Sequence, residues 1–315
     1  MNKTKQKPLF SIIMPAYNAE AHIEEAMQSI LRQTYQNFEL IIINDGSTDN
    51  THEIIDKYKA SDHRIKSYKQ KNKGVVAAAN LAASHATGRY ITRHDADDVS
   101  FPTKLQDFLD TFNKHPEAIL VTGNIEVIDE LGQFVRTGIT PPSNDLLKYT
   151  LYVYNPIPNG ATAIKRDLFE QVGGYSDVFA EDLHLWTKLY ELGEFASTNT
   201  FVYKWRINLS GLTHTNQDKT LAKEREYTDI IWNRQLPSIY SRTELIRQSI
   251  ELLKLPQGIH HKNTFLYTAA RIGSRLIKKG YTMDGIRLLL AIASTGRTGL
   301  NIALKQIHLS LKGLR

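Results

Sequence analysis

The sequence predicts an α/β body of about 210 residues, an open sheet with helices on both faces, followed by an all-helical extension. Three observations carry this. Short apolar runs alternate with amphipathic stretches through the first hundred residues, turn-forming residues separate them, and the strand signals stop after Gly211. Such alternation buries parallel strands between layers of helices.

The elements follow in order. Residues 10–14 form a short apolar run closed by Pro15, as expected of a buried strand. Residues 19–32 read as an amphipathic helix with Ile23, Met27, Ile30 and Leu31 on one face. A second strand spans 40–43. A helix over 48–59 is introduced by Ser47, Thr48 and Asp49 as candidate caps. A third strand is expected at 65–68, a third helix at 75–86 and a fourth strand at 90–92. Ser100 then caps a helix with Pro102 in its first turn, running to about Asn113. Further on, short strands are expected at 119–121, 125–128, 162–164 and 201–205, and helices at 166–172 and 182–192. Beyond Gly211, Ser241 with Glu244 makes a capping box, and 265–278 and 286–292 form a helical pair.

Composition bounds the chemistry. The 315 residues contain no cysteine, which excludes disulfides, thiolate nucleophiles and cysteine-held metals. The longest apolar runs, such as 288–293, fall far below the ~20 residues that a membrane span requires. Lys3, Lys5 and Lys7 precede an apolar run as in a leader, but Pro15 and the polar residues after it end that run, and no small-residue cleavage site follows. The expectation is a cytoplasmic protein. The net charge of +6 is unevenly spread. Residues 256–315 hold ten Lys and Arg against Asp284 alone, a net +9, which leaves 29 basic and 32 acidic residues, a net −3, in 1–255. A basic tail on a mildly acidic body points to an anionic surface as partner. Phe265, Tyr267 and Tyr281 are the only aromatics in the tail, so nucleic acid is not the expected partner.

In an open α/β sheet, ligands bind beyond the carboxyl ends of the strands. The segments there are 15–18 after the first strand, 44–47 after the second and 94–98 after the fourth. Asp95, Asp97 and Asp98 crowd three carboxylates into four residues, a cluster that a cation or solvent must offset. Oxygen-only ligands suit Mg²⁺ or Mn²⁺ bridging to a diphosphate. The alternative is an acidic turn that only caps the next helix. Asp45 within Asn-Asp-Gly-Ser also reads as an ordinary turn, and Tyr17 as a loop aromatic or a stacking surface for a base.

Taken together, the loops resemble the family 2 glycosyltransferases of the GT-A fold, of the bacterial envelope-polysaccharide type. The matching segments are 11–18 (Ser-Ile-Ile-Met-Pro-Ala-Tyr-Asn), 43–49 (Ile-Asn-Asp-Gly-Ser-Thr-Asp), Asn72-Lys73-Gly74 leading to Asn80, and 88–91 (Gly-Arg-Tyr-Ile). Then come 95–98 (Asp-Ala-Asp-Asp), 172–175 (Val-Gly-Gly-Tyr), and Glu181-Asp182 followed by Leu185-Trp186. They keep the family's order over about residues 9–206. The resemblance implies a Rossmann-like, nucleotide-sugar-binding GT-A domain over 1–210, with 9–98 as the donor-nucleotide half and 99–210 as the acceptor half. Residues 211–315 form the helical, basic extension. Pro15, Tyr17 and Asp45 match positions around the base and ribose of the donor. Asp95 and Asp97 match the element that holds ribose and the divalent cation, Mn²⁺ or Mg²⁺, and Asp98 is a candidate to share it. Asp182 matches the general base of inverting members, although acids at a helix start also favour the helix dipole. Two positions depart from the pattern. Ala79 stands where many members have Arg, with Arg93 a candidate substitute unless strand alternation turns it away. Arg206 stands where many have His.

The expected function is transfer of a sugar from a nucleoside-diphosphate sugar, with UDP favoured, to a hydroxyl of a saccharide or lipid-linked acceptor in cell-surface polysaccharide synthesis. A nucleotidyltransferase is the first alternative, although no Gly-rich loop follows the first strand. The second is an inactive body carrying a basic adaptor. Leu300, Leu304, Ile307, Leu311 and Leu314 recur at helical spacing beside Lys305, Lys312 and Arg315, which suits a helix lying on the inner face of the cell membrane or one packed on the preceding pair.

Overall fold

Four strands set the frame: β1 (Phe10–Ala16), β2 (Phe38–Asn44), β3 (Ile65–Lys69) and β4 (Tyr90–Arg93). The computed structural model describes residues 8–151 and 155–208, and beyond them Lys223, Glu226, Tyr227, Ala270, Gly273, Ser274, 288–290, Ile292 and Ala303. The strands lie in the order β3-β2-β1-β4, all parallel. The chain winds outward from β1 to β3 and then crosses to the other side of β1. That reversal opens a crevice at the carboxyl ends of β1 and β4. β1 and β2 are buried along their whole length, as continuous apolar runs require. Pro15 sits inside β1 rather than closing it. It lies past Ile13–Arg93, the last β1–β4 pair, where β1 has a neighbour on one side only and a missing N–H is tolerated.

Helices α1 (Ile23–Leu31), α2 (Thr51–Ser61), α3 (Val75–Ser84) and α4 (Lys104–Lys114) cover both faces. On one face Phe10, Ile12, Met14, Leu40 and Ile42 form a core with Ile23, Ala26, Met27 and Ile30 of α1 and with Leu105, Phe108 and Phe112 of α4. On the other, Ile13, Ile41 and Ile43 are buried, and α3 packs on β1 and β2 through Val76, Ala78, Ala79 and Ala82. Alanines let α3 approach the sheet closely. Helix α1 starts four residues later than the sequence suggests. The backbone N–H groups of Ala19 and Glu20 instead donate to Thr51 Oγ1 (2.8 Å) and Asp49 Oδ2 (3.1 Å).

The remaining elements are β5 (Val99–Ser100), β6 (Ala118–Ile128), β7 (Phe134–Gly138), α5 (Asn144–Thr150), β8 (Thr162–Lys165), α6 (Arg166–Gln171), α7 (Glu181–Leu189) and β9 (Glu194–Arg206). They extend the sheet through β4-β8-β6-β9-β5 with mixed directions, and β7 pairs with β6. The two strands expected at 119–121 and 125–128 are one. The polar residue Asn124 reads as a break, yet its Oδ1 is buried and accepts from Thr140 N at 3.0 Å. β9 begins earlier than expected because β6 pairs with it from Glu194 onward.

The chain divides into two compact units, residues 1–144 with 157–223, and residues 145–156 with 224–315. In the second, Leu147, Leu151, Leu288, Leu289, Ile292 and Ala303 are buried. The capping box at Ser241 and most of the expected tail helices lie outside the described residues. Those described at 288–290 and at Ile292 are helical, as expected for 286–292. Among the described residues, no helix is long and apolar enough to cross a membrane.

Candidate active site

The loops after β1 and β2 are stitched to each other. Asn18 Oδ1 accepts from Thr48 N at 2.8 Å, Ser47 Oγ accepts from Asn18 N at 3.1 Å, and Glu20 Oε2 accepts from Asn50 N at 3.0 Å. Asn18 itself takes a positive φ of 46°, which its short polar side chain tolerates. Pro15 is buried in the sheet, while Tyr17 is half exposed on the loop.

Asp45 is buried, and its carboxylate orders the loop that leads to α3. Oδ1 accepts from Gln70 Nε2 (2.7 Å) and Lys73 N (2.9 Å), and Oδ2 accepts from Gly74 N (2.9 Å). The turn needs Gly46, at φ +78°, because a Cβ there would meet Asn72 N at 2.8 Å. Asp45 thus shapes the rim of the crevice with both oxygens already engaged.

The loop after β4 alternates sides. Asp95 and Asp97 are partly exposed, whereas Ala96 and Asp98 are buried. Asp98 Oδ1 accepts from Arg206 N at 2.7 Å, and its carboxyl also bonds the Tyr203 hydroxyl. Burial, followed by Asp97 and Asp95, holds that carboxyl well above the usual range. Asp98 is therefore an anchor to β9. Asp97 Oδ2 accepts from Asn208 Nδ2 at 3.2 Å, and its carboxyl is raised by burial and then by Asp95.

Below the loop lies a buried polar group. Tyr203 Oη accepts from Asp95 N at 3.0 Å. Lys104 Nζ donates to Gly160 O at 2.7 Å and sits 4.5 Å from the centre of the Tyr203 ring. Burial pulls Lys104 down to about 7, with Asp98 and Asp95 opposing. His94 is fully buried and kept neutral by burial and then by Lys104. Its Nδ1 is 2.9 Å from the Asp95 carbonyl, which only accepts, so Nδ1 carries the hydrogen, and the buried Nε2 has no hydrogen-bond partner among the described residues. Arg206 closes the loop from the far side. Its Nε donates to Asp97 O (2.7 Å), Nη1 to Glu130 O (3.1 Å) and Nη2 to Glu25 Oε2 (2.6 Å). Arginine in place of histidine here makes a structural clamp on the acidic loop.

Glu181 and Asp182 open α7, entered through Ala180 in the left-handed region (φ 56°, ψ 48°). Such strain in a non-glycine residue persists where the surroundings over-determine it, often beside functional groups. Asp182 Oδ1 accepts from Leu183 N at 2.7 Å. Arg93, the last residue of β4, reaches both halves: Nε is 2.7 Å from Asp95 Oδ1 and Nη1 is 3.0 Å from Glu181 Oε1. Tyr175 lies among these charges. Burial raises its phenol, Arg93 opposes, and Glu181, Asp95 and Asp182 add to the rise. The structure thus brings Asp95 and Asp182 to one place.

Motif residues outside this cluster have architectural explanations. Asn80 exchanges two hydrogen bonds with the Tyr175 backbone, and Gly174 (φ +64°) is required because a Cβ would strike Asn80 Oδ1 at 2.7 Å. Ala79 is fully buried under the sheet, and Trp186 is core. Lys104, Tyr203 and Asn208 were not legible as site residues. A lysine aligned with the apolar positions of α4 was the one available signal, since lysine is almost never fully buried without a reason.

Among the described residues, no group of three or more His, Asp or Glu side chains is arranged to hold a metal ion. Asp95 and Asp97 nonetheless offer hard oxygens on the open side of one loop and repel each other. That suits Mg²⁺ or Mn²⁺ when a diphosphate completes the coordination.

A mixed sheet whose parallel strands reverse order between β1 and β4, with carboxylates at the switch point and Arg93 tying them to the start of α7, is the architecture of the GT-A glycosyltransferases. The chain belongs to the family described as Glycosyl transferase family 2, whose profile matches residues 11–173. It is 33% identical over 259 residues to the putative glycosyltransferase EpsE of Bacillus subtilis, covering 79% of this chain and 84% of that protein. It is 33% identical over 201 residues to chondroitin synthase of Escherichia coli, covering 63% of this chain and 29% of that one. Among solved structures, Staphylococcus aureus TarS 1–349 in complex with UDP-GlcNAc has the same fold at a TM-score of 0.55 and 19% identity, covering 90% of this chain and 80% of that 1–349 chain. Mannosyltransferase PcManGT from Pyrobaculum calidifontis, in complex with GDP-Man and Mn²⁺, matches at a TM-score of 0.52 and 18% identity, covering 98% and 81%.

Proposed function

We propose that this glycosyltransferase is inverting and metal-dependent and uses a nucleoside-diphosphate sugar, with UDP as the favoured nucleotide. The observation that carries this reading is the junction at Arg93, which joins the Asp95 loop to the start of α7 where Asp182 sits. The donors named for TarS and PcManGT support a nucleoside-diphosphate sugar, and the first of them favours UDP.

The crevice loops carrying Tyr17 and Asp45 receive the base and ribose, with Asp45 holding the rim through Gln70, Lys73 and Gly74. Asp95 and Asp97 would hold the cation, Mn²⁺ or Mg²⁺. When bound, the cation offsets the charge that builds on the diphosphate. Asp182 takes the proton from an acceptor hydroxyl as its oxygen forms a bond to the anomeric carbon. The bond from that carbon to the β-phosphate oxygen breaks, and the electron pair leaves with the nucleoside diphosphate. A single displacement inverts the anomeric centre and needs no covalent enzyme intermediate.

The acceptor is a hydroxyl of a saccharide or of a lipid-linked saccharide in cell-surface polysaccharide synthesis. Similarity to a chondroitin synthase supports the polymer class. On this reading residues 1–210 are the catalytic body, and the basic residues of 256–315 hold it at an anionic inner membrane face. The test is a panel of UDP-, GDP- and dTDP-sugars with purified full-length chain. Release of nucleoside diphosphate from one donor, abolished by EDTA and restored by Mn²⁺ or Mg²⁺, supports the reading. Pyrophosphate release, or full activity in EDTA, contradicts it.

A further inference from the structure

Arg93 serves two carboxylates that belong to different parts of the site. Its side chain is only 6% exposed, with Nε 2.7 Å from Asp95 Oδ1 and Nη1 3.0 Å from Glu181 Oε1. Its Cζ stands 5.5 Å from the centre of the Tyr175 ring. A planar guanidinium held from three directions has one orientation, and each bond is directional. Asp95 lies on the loop after β4, which the proposed reading sets against the diphosphate. Glu181 lies in the first turn of α7, one residue before Asp182, and 88 positions along the chain from Arg93.

We propose that Arg93 is a positioning residue that couples cation loading at Asp95 to the placement of Asp182. This rests on the metal-dependent reading above. The Asp95 carboxylate is claimed by two cations. A divalent ion at Asp95 repels the guanidinium and takes a share of the charge that held it. The attraction at Glu181 is unaltered, so Glu181 becomes the dominant partner. The guanidinium is then held mainly by the start of α7 when the donor side is loaded, which sets Asp182 at the moment it is needed. Coupling between two sites is reciprocal. Weakening the Arg93–Asp95 pair must favour the cation, and strengthening the pair must oppose it.

The two directions give an experiment that a merely structural role would not satisfy. Mn²⁺ binding to the full-length chain in the presence of UDP is followed by electron paramagnetic resonance for the wild type, Arg93→Met, Arg93→Lys and Glu181→Gln. In parallel, kcat and donor KM are measured with the active donor from the panel. Arg93→Met is expected to bind Mn²⁺ about fivefold more tightly, the lower end of usual couplings. It should turn over roughly 10- to 100-fold more slowly, the scale of a small misplacement, with donor KM little changed. Glu181→Gln leaves the guanidinium to Asp95, so Mn²⁺ binds more weakly although Glu181 is not among the proposed ligands. Arg93→Lys, which keeps the charge without the fork, falls between wild type and Arg93→Met. Weaker Mn²⁺ binding by Arg93→Met, or unchanged binding by Glu181→Gln, overturns the coupling. If thermal unfolding shows Arg93→Met to be misfolded, Glu181→Gln and Arg93→Lys decide. A wild-type chain that binds no Mn²⁺ overturns the metal reading and the coupling with it. Normal wild-type binding with unmoved variants overturns the coupling alone.

Discussion

Replacing Arg206 with methionine should loosen the acidic loop and destabilise the body by about 3–5 kcal/mol, the scale of losing two charge-assisted hydrogen bonds. The figure follows from what is lost. The shortest main-chain bonds of the guanidinium go to Asp97 O at 2.7 Å and Glu130 O at 3.1 Å. A hydrogen bond involving a charged group contributes roughly 1.5–3 kcal/mol. The third partner, Glu25, is 57% exposed, so that ion pair adds at most about 1 kcal/mol. Methionine keeps most of the packing and none of the donors. At about 2–4 °C per kcal/mol for a body of this size, Tm should fall by roughly 10 °C. The Arg206 main-chain N–H still donates to Asp98 in the variant, so the strand end stays in place and the effect is confined to the side chain. Calorimetric unfolding measures the first consequence. Titration with Mn²⁺ and UDP measures the second, a weakened site, because the Asp97 carbonyl is no longer pinned. Arg206→Lys should recover less than half, since one ammonium cannot reach three acceptors in the guanidinium's fork geometry. A variant within about 1 kcal/mol of wild type, with unchanged Mn²⁺ affinity, would refute the clamp.

Asp182→Asn should bind UDP as wild type does and transfer sugar roughly 10²–10⁴ times more slowly, the scale of losing a general base; calorimetric titration and product formation report the two halves, and unaltered turnover would move the role to Glu181. Lys104 gives a pH signature. The side chain ordinarily holds its proton to 10.5 and here releases it at about 7, through burial, against the pull of Asp98 and Asp95. Between those values the unfolded chain binds more protons than the folded one, so the wild type gains on Lys104→Met as pH rises. From pH 7 to 9.5 the gain should be up to about 1.4 kcal/mol per unit, read from denaturant midpoints, and parallel profiles would exclude it. The tail should carry the full-length chain onto anionic but not neutral vesicles at low salt, with each basic residue near the surface adding about 1 kcal/mol. Reversal of Lys305 and Lys312 to Glu should reduce co-sedimentation, and no binding to anionic vesicles at low salt would remove the membrane role.

What the sequence made legible was set by local chemistry. The apolar runs of β1 and β2, the spacing of Ile23, Met27 and Ile30, and the carboxylates at strand ends are all read within a few residues. The crevice therefore follows from sequence order and strand polarity. The second half was harder because its pairing is long-range. β5 is two residues long, β7 exposes Phe134 and Val135, and Asn124 looks like a break until Thr140 satisfies it. The same limit applies at the site. The Asp95 and Asp97 pair stood out, but whether Asp98 joined them depended on Tyr203 and Arg206, more than a hundred residues away. Arg93 could not be oriented from alternation alone. It faces the site because Asp95 and Glu181 are both there to receive it. Lys104 is hidden for the same reason, since its acceptor is the Gly160 carbonyl.

The stereochemistry of transfer tests the central claim most directly. Proton NMR of the product from the active donor gives the anomeric configuration of the new linkage, and the released nucleotide is identified in the same tube. A single displacement assisted by Asp182 predicts that an α-configured donor yields a β-linked product together with one equivalent of nucleoside diphosphate. A product that keeps the donor's configuration, or release of pyrophosphate in place of nucleoside diphosphate, would contradict the account.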